Sequence, residues 1–103
     1  MIKGGIWCNN SVDGNTKLED IIYQYDRIGI FPCRVLKRKE GNSVVFENGD
    51  FWQVIKANEL SRGYKLNISY IQYGIPREII DRVILPATIC HPFQAFNYWG
   101  KND

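Results

Sequence analysis

Four side chains in this sequence are suited to metal ligation or to sulfur-based acid–base chemistry: Cys8, Cys33, Cys90 and His91. Three thiolates and an imidazole make a Cys₃His set, one of the accepted tetrahedral zinc inventories. Such a site is structural, because four protein ligands leave no open coordination position. The close C-x₂₋₄-C spacing of zinc knuckles is absent, so the fold itself has to bring these residues together. His91 is the single histidine, and a cysteine nucleophile needs it as its base. No local signature selects one of the three Cys–His pairs. Packed as small hydrophobes, the same cysteines need no ligand at all. The expectation is a protein without an obligate cofactor and without catalytic residues, zinc being the one alternative.

A second chemistry is electrostatic. Arg34, Lys37, Arg38 and Lys39 form a basic cluster, with Arg62 and Lys65 further along. On a strand, Arg34 and Arg38 share one face while Lys37 and Lys39 share the other. Placed near Trp52 or Tyr64, the cations Arg34, Lys37, Arg38, Arg62 and Lys65 would hold phosphates while an aromatic ring stacks on a base. The net charge of +2 is small for an unspecific nucleic-acid binder. Asp13-Gly14-Asn15-Thr16-Lys17 has the composition of a phosphate loop, but not the order of Gly, Lys and hydroxyl that the loop requires.

The third chemistry is recognition by apolar surface. Aromatic residues are 14% of the chain, more than a small core readily hides, and exposed Tyr and Trp dominate binding energies. Phe93, Phe96, Tyr98 and Trp99 are the expected anchors for a partner. Glu40, Glu47 and Asp50 would assist if the partner presents a DNA-binding surface.

These groups must be positioned by a single domain, since 103 residues leave room for one core. The domain is expected over 1–99 with a mobile tail at 100–103. Ile2 to Cys8 reads as a strand interrupted by Gly4-Gly5, and Asn9 to Asn15 as a loop. Thr16 and Glu19 have capping-box spacing, with Leu18, Ile21, Ile22, Tyr25 and Ile28 on one helical face. Gly29 is placed to end that helix in a left-handed cap. Pro32 makes the following strand an edge. Asn48-Gly49 between two β-rich runs predicts a type I′ hairpin. Tyr64 to Tyr73 alternates as a strand with one buried face, Tyr64, Leu66, Ile68 and Tyr70 being set against Lys65, Asn67 and Ser69. Pro76 opens a helix carrying Ile79, Ile80, Val83 and Ile84, and Pro86 ends it. Residues 87–99 are irregular and aromatic. The sum is an α+β fold with a mainly antiparallel sheet of about five strands and two short helices. No apolar run approaches the roughly 20 residues of a membrane span, and no secretory signal opens the chain. The expected location is the cytoplasm of a bacterial host cell, without membrane contact.

From Val44 to about Pro86 the chain resembles the central ATPase segment of phage large terminase subunits, the motors that package DNA. The resemblance runs through Phe46-Glu47-Asn48-Gly49-Asp50, Ser61-Arg62-Gly63-Tyr64-Lys65-Leu66-Asn67, Ile68 to Ile71 and Ile79-Ile80-Asp81-Arg82-Val83-Ile84. In that family the apolar strand ends in an acidic pair that positions Mg²⁺ and water, whereas here it ends in Gln72-Tyr73. Without that pair or a phosphate cradle, phosphoryl transfer has nothing to stabilise its transition state. The resemblance therefore implies a phage or mobile-element protein that has no ATPase activity. Its expected role is to bind and inhibit or modulate a larger protein or ribonucleoprotein, such as a CRISPR or other defence effector. The alternatives are an accessory nucleic-acid-binding module and a zinc-stabilised binding protein.

Overall fold

The computed structural model describes residues 1–88 and 94–101. Cys90, His91, Phe93 and the last two residues of the expected tail lie outside the described residues. The described elements are β1 (Lys3–Cys8), α1 (Ser11–Arg27), β2 (Pro32–Leu36), β3 (Ser43–Phe46), β4 (Phe51–Lys56) and β5 (Ile68–Gln72). After them come α2 (Arg77–Ile79), a π-helical stretch (Ile80–Ile84), α3 (Leu85–Ala87) and β6 (Ala95–Trp99).

The α+β class is observed, but the sheet is mixed. Its six strands run in the order β2-β3-β4-β1-β5-β6. β1 pairs parallel with β4 and β5, and β5 parallel with β6. Among the described residues only the β2–β3 and β3–β4 pairs are antiparallel. The sixth strand was not legible because residues 87–99 lack alternation and contain Pro92. β6 is a parallel edge strand reached by a crossover, so no local turn announces it.

Helix α1 begins at Ser11, well before the capping-box position. Asn10 is its N-cap, its side-chain oxygen accepting from the Asp13 amide at 2.9 Å. Thr16 lies inside the helix and donates its hydroxyl to the Val12 carbonyl. Gly14, which with its polar neighbours reads as a turn, is buried in the first turns of the helix. A Cβ there would come within 2.5 Å of Val54 and 2.8 Å of the Cys8 sulfur, so glycine lets the helix lie against the sheet. At the other end the Gly29 amide bonds the Asp26 carbonyl and the Ile30 amide bonds the Tyr25 carbonyl, with Gly29 at φ +81°. That is the Schellman arrangement the glycine implied. Leu18 and Ile21 are buried, Ile22 and Tyr25 pack at the core margin, and Ile28 is exposed.

Pro32 does fall on an edge strand, which has a bulge at Cys33. The β3–β4 hairpin is present, but its turn is not type I′. Among the described residues no non-glycine has positive φ, so within this turn only Gly49 takes the left-handed position, at φ +93°. The Gly49 amide closes on the Phe46 carbonyl, and the Phe46 amide then pairs with the Asp50 carbonyl. This is the three-residue loop with a glycine bulge.

β5 is shorter than expected and is covered on both faces. Ile68 and Tyr70 pack toward α1. Ile71 and Leu66 join Trp7, Ile55, Ile75, Ile80, Val83 and Ile84 on the opposite side. Ser69, read as solvent-facing, is fully buried: its hydroxyl accepts from the Trp7 indole at 2.9 Å and lies 2.6 Å from the Thr88 hydroxyl. Thr88 in turn donates to the Ile84 carbonyl. The alternation is real, but the polar face is a satisfied internal network rather than a wet surface. Pro76 is the N-cap of α2 rather than its first residue. Pro86 sits within α3, past a wide turn in which the Leu85 amide bonds the Ile80 carbonyl. A helical proline has no amide to donate and crowds the carbonyl four residues back, and the wider π turn accommodates it.

The Gly4-Gly5 pair, which in sequence reads as a weakness in β1, makes room for both cores. A Cβ on Gly4 would overlap the ring of Trp52, and one on Gly5 would sit 2.5 Å from Leu66. Gly4→Ala is expected to destabilise the fold by about 1–3 kcal/mol, the usual cost of overpacking against a rigid ring. The urea midpoint would fall with the slope unchanged.

Tyr25 joins α1 to the hairpin. Its hydroxyl donates to Asp50 at 2.8 Å and accepts from the Trp52 indole at 3.0 Å. Burial, with the Asp50 carboxylate adding to it, pushes this phenol up to about 12. The unfolded phenol ionises near 10, so the native state holds the proton more tightly. The stabilisation is complete below about pH 10 and is lost as pH rises toward 12. Between those values wild type should lose stability more steeply than Tyr25→Phe, as measured by denaturant unfolding at several pH values.

Candidate nucleic-acid interface

Of the expected zinc ligands Cys8, Cys33, Cys90 and His91, the first two are among the described residues, and they do not meet. Cys8 ends the central strand β1, is fully buried, and donates its thiol weakly to the Ile55 carbonyl. Cys33 lies exposed on edge strand β2. β1 and β2 are separated by β3 and β4, which puts them about 14 Å apart at normal strand spacing. Among the described residues no group of three or more potential ligands forms. Burial, with Asp13 adding to it, pushes the Cys8 thiol up to about 11, which disfavours the nucleophilic thiolate.

The expected partner surface is likewise divided. Phe96 and Tyr98 are exposed on β6, at one edge of the sheet, and Tyr98 stacks on Tyr73 at 5.2 Å. Trp99 faces the other way into the α1 core, and its indole nitrogen has no acceptor among the described residues. Glu40 and Glu47 lie at opposite ends of β3, away from β6. Glu47 accepts the Phe31 amide. Asp50 is not a surface residue. It is buried and accepts the Ile2 amide at 2.8 Å, the Tyr25 hydroxyl and the Asn48 side chain.

The basic residues come closest to a common site. β2 ends at Leu36, so Lys37, Arg38 and Lys39 belong to the β2–β3 loop and do not alternate on a strand. That loop is held in place at its far end. Asn42 accepts the Val54 amide on its carbonyl and the Arg38 amide on its side chain, and its own amide bonds Asn15 of α1. Gly41, at φ +150°, lies so near β4 that a Cβ would meet the Val54 carbonyl at 2.7 Å. The loop after β4 is shaped by Asn58, whose side chain accepts the Leu60 amide, and by the Ser61 hydroxyl on the Lys56 carbonyl. It ends on Tyr64, packed edge-to-face on Trp7 at 5.9 Å.

Between these two loops lies a cleft of about 760 Å³, bounded by Arg38, Lys39, Lys56, Tyr64 and the start of α1 at Asn10 and Ser11. It sits at the C-terminal ends of the parallel strands β1 and β4. The first-turn amides of a helix have no intrahelical acceptors and carry partial positive charge. Arg38, Lys39 and Lys56 have no ion pair among the described residues. Glu40 is the one carboxylate among the described residues of the lining. Of the other basic candidates, Arg62 is engaged with Glu59 at 2.8 Å, and Lys65 is exposed outside the lining. Arg34 shares the face of Val45 and Phe51 across the sheet, opposite the face that α1 covers. Lys56 and Asn10 carry no mark in the sequence, since neither belongs to a cluster.

Gln72, where the terminase resemblance would place an acidic residue, joins the ends of β1 and β5. Its side-chain oxygen accepts the Asn9 amide at 2.7 Å, and its nitrogen donates to Asp13 at 3.0 Å. Among the described residues no helix is long and apolar enough to cross a membrane.

No protein-family model and no curated protein matches the chain. Among solved structures, the large terminase of a thermophilic bacteriophage superposes with a TM-score of 0.63 at 10% sequence identity. The match covers 94% of this chain and 24% of the terminase, so the chain spans about a quarter of that protein's length. At this identity the likeness is one of fold.

The thiol environments give a direct check on this geometry. Brief iodoacetamide treatment of the native protein, mapped by mass spectrometry, should alkylate Cys33 and leave Cys8 unmodified. Cys8 should react only once denaturant opens the fold.

Proposed function

We propose that this chain is a non-catalytic binding module whose cleft between the β2–β3 loop and the loop after β4 takes the phosphates of a nucleic-acid strand. The carrying observation is the convergence of Arg38, Lys39 and Lys56 on one cleft with the first turn of α1 and the ring of Tyr64. These cations have no ion pair among the described residues, so they remain available to a polyanion, opposed in the lining by Glu40. Release of counterions from the strand adds to their attraction. The terminase-like fold is compatible with a phage or mobile-element origin, and the module would then be accessory to a larger nucleoprotein machine.

A second reading rests on β6. Phe96 and Tyr98 are large rings exposed on an edge strand, and such rings suit a protein partner. This surface would serve an inhibitor of a larger protein or ribonucleoprotein, including a defence effector.

The two readings separate by salt. Fluorescence anisotropy with a labelled single-stranded oligonucleotide should show affinity falling by about tenfold or more between about 50 and 200 mM salt. Arg38→Ala/Lys39→Ala should weaken binding and flatten the salt slope by about 1 to 1.5, the loss of two phosphate contacts on a single strand. Absence of binding at low salt would exclude the nucleic-acid reading. A partner protein retained at high salt, and lost on Tyr98→Ala, would favour the second.

A further inference from the structure

We infer that the sheet face beside the cleft is a base-contacting track for single-stranded nucleic acid, centred on Phe51. This rests on the phosphate-cleft reading and adds the class of strand and the residues that touch its bases.

Register fixes which side chains share this face. Arg34 pairs with Val45, Val45 with Phe51, and Phe51 with Lys3. The four therefore form one row across β2, β3, β4 and β1. The next row runs Leu36, Ser43, Gln53 and Gly5. α1 covers the opposite face, through Val44, Phe46, Trp52 and Val54. The helical segment at residues 77–87 covers this face only around Trp7, Ile55, Leu66 and Ile71, and no β2 or β3 side chain joins that cluster. Leu36, Val45, Phe51 and Gln53 are left part-exposed, and Arg34 and Lys3 are exposed.

The composition of the patch selects its occupant. The two rows contain no Asp or Glu. Arg34 and Lys3 stand on either side of Phe51, about 14 Å apart across three strand spacings, and neither has an ion pair among the described residues. An apolar ring between two such cations suits a base flanked by its phosphates, and stacking on a ring discriminates little between bases. Gln53 belongs to both the face and the cleft, so the two surfaces are continuous along β4. From Phe51 to Lys56 that path is about 17 Å long. Bases reach a flat ring only when they are unpaired, so the ligand is a single strand.

The test compares hexathymidylate with two probes lacking bases, an abasic hexamer and inorganic polyphosphate, by calorimetric titration at low salt. Wild type should bind hexathymidylate roughly tenfold more tightly than the abasic strand, the contribution of one stacked base. Phe51→Leu, which keeps the apolar character but removes the ring, should erase that difference and leave polyphosphate binding unchanged. Phe51→Tyr should retain it. Equal affinity for all three probes would overturn the track while leaving the phosphate cleft standing. Equal loss of every probe in Phe51→Leu would also overturn it, by showing a purely structural role. Failure of wild type to bind any probe would overturn both.

Discussion

Strand β1 is the constraint on which the rest of the molecule depends. It lies inside the sheet, with parallel neighbours on either side and a core against each face. A strand in that position cannot lean on solvent, so its side chains must fit both cores at once. The chain meets this by alternating absence with bulk. Gly4 and Gly5 admit the Trp52 ring on one side and Leu66 on the other. Ile6 and Cys8 then fill the α1 side, and Trp7 fills the other.

Each core is oriented by a polar network, part-buried on the α1 side and fully buried on the other. On the α1 side, Asp50 gathers the Ile2 amide, the Tyr25 hydroxyl and the Asn48 side-chain amide, and Tyr25 accepts the Trp52 indole. On the other side, Trp7, Ser69, Thr88 and the Ile84 carbonyl make a closed chain. Hydrophobic burial alone is non-directional. The hydrogen bonds fix the register of helix on sheet, since a slipped arrangement would strand these groups unpaired at about 1–3 kcal/mol each. With helix and hairpin fixed in this way, the β2–β3 loop, the loop after β4 and the start of α1 come to border one cleft.

The sequence was readable where a local rule decided the outcome. Gly29 as a helix end, Pro32 on an edge strand and the hairpin around Gly49 all follow from backbone freedom within a few residues. It was misleading where a distant contact decided. Gly14 looks like a turn until Val54 and Cys8 are seen beside it, and Ser69 looks wet until Trp7 and Thr88 are. β6 carries no turn or period of its own, because its partner β5 lies across a crossover. For the site, Arg38 and Lys39 were visible as a cluster, and Tyr64 as an aromatic able to adjoin it. Their union with Lys56 and the start of α1 depends on Gly41 and Asn42 holding one loop against β4, which spacing along the chain does not reveal. Asp50, by sequence an expected acidic contact for a partner, is an internal hydrogen-bond acceptor because the hairpin folds it under Tyr25.

The most direct measurement is an NMR titration of ¹⁵N-labelled protein with a short single-stranded oligonucleotide, following every backbone amide. Shifts should concentrate in the β2–β3 loop around Arg38 to Gly41, at Asn10 and Ser11, along β4 from Phe51 to Lys56, and at Tyr64. The amides of β6 should stay in place. Shifts confined to β6, or none at saturating oligonucleotide, would contradict a nucleic-acid interface at this end of the sheet.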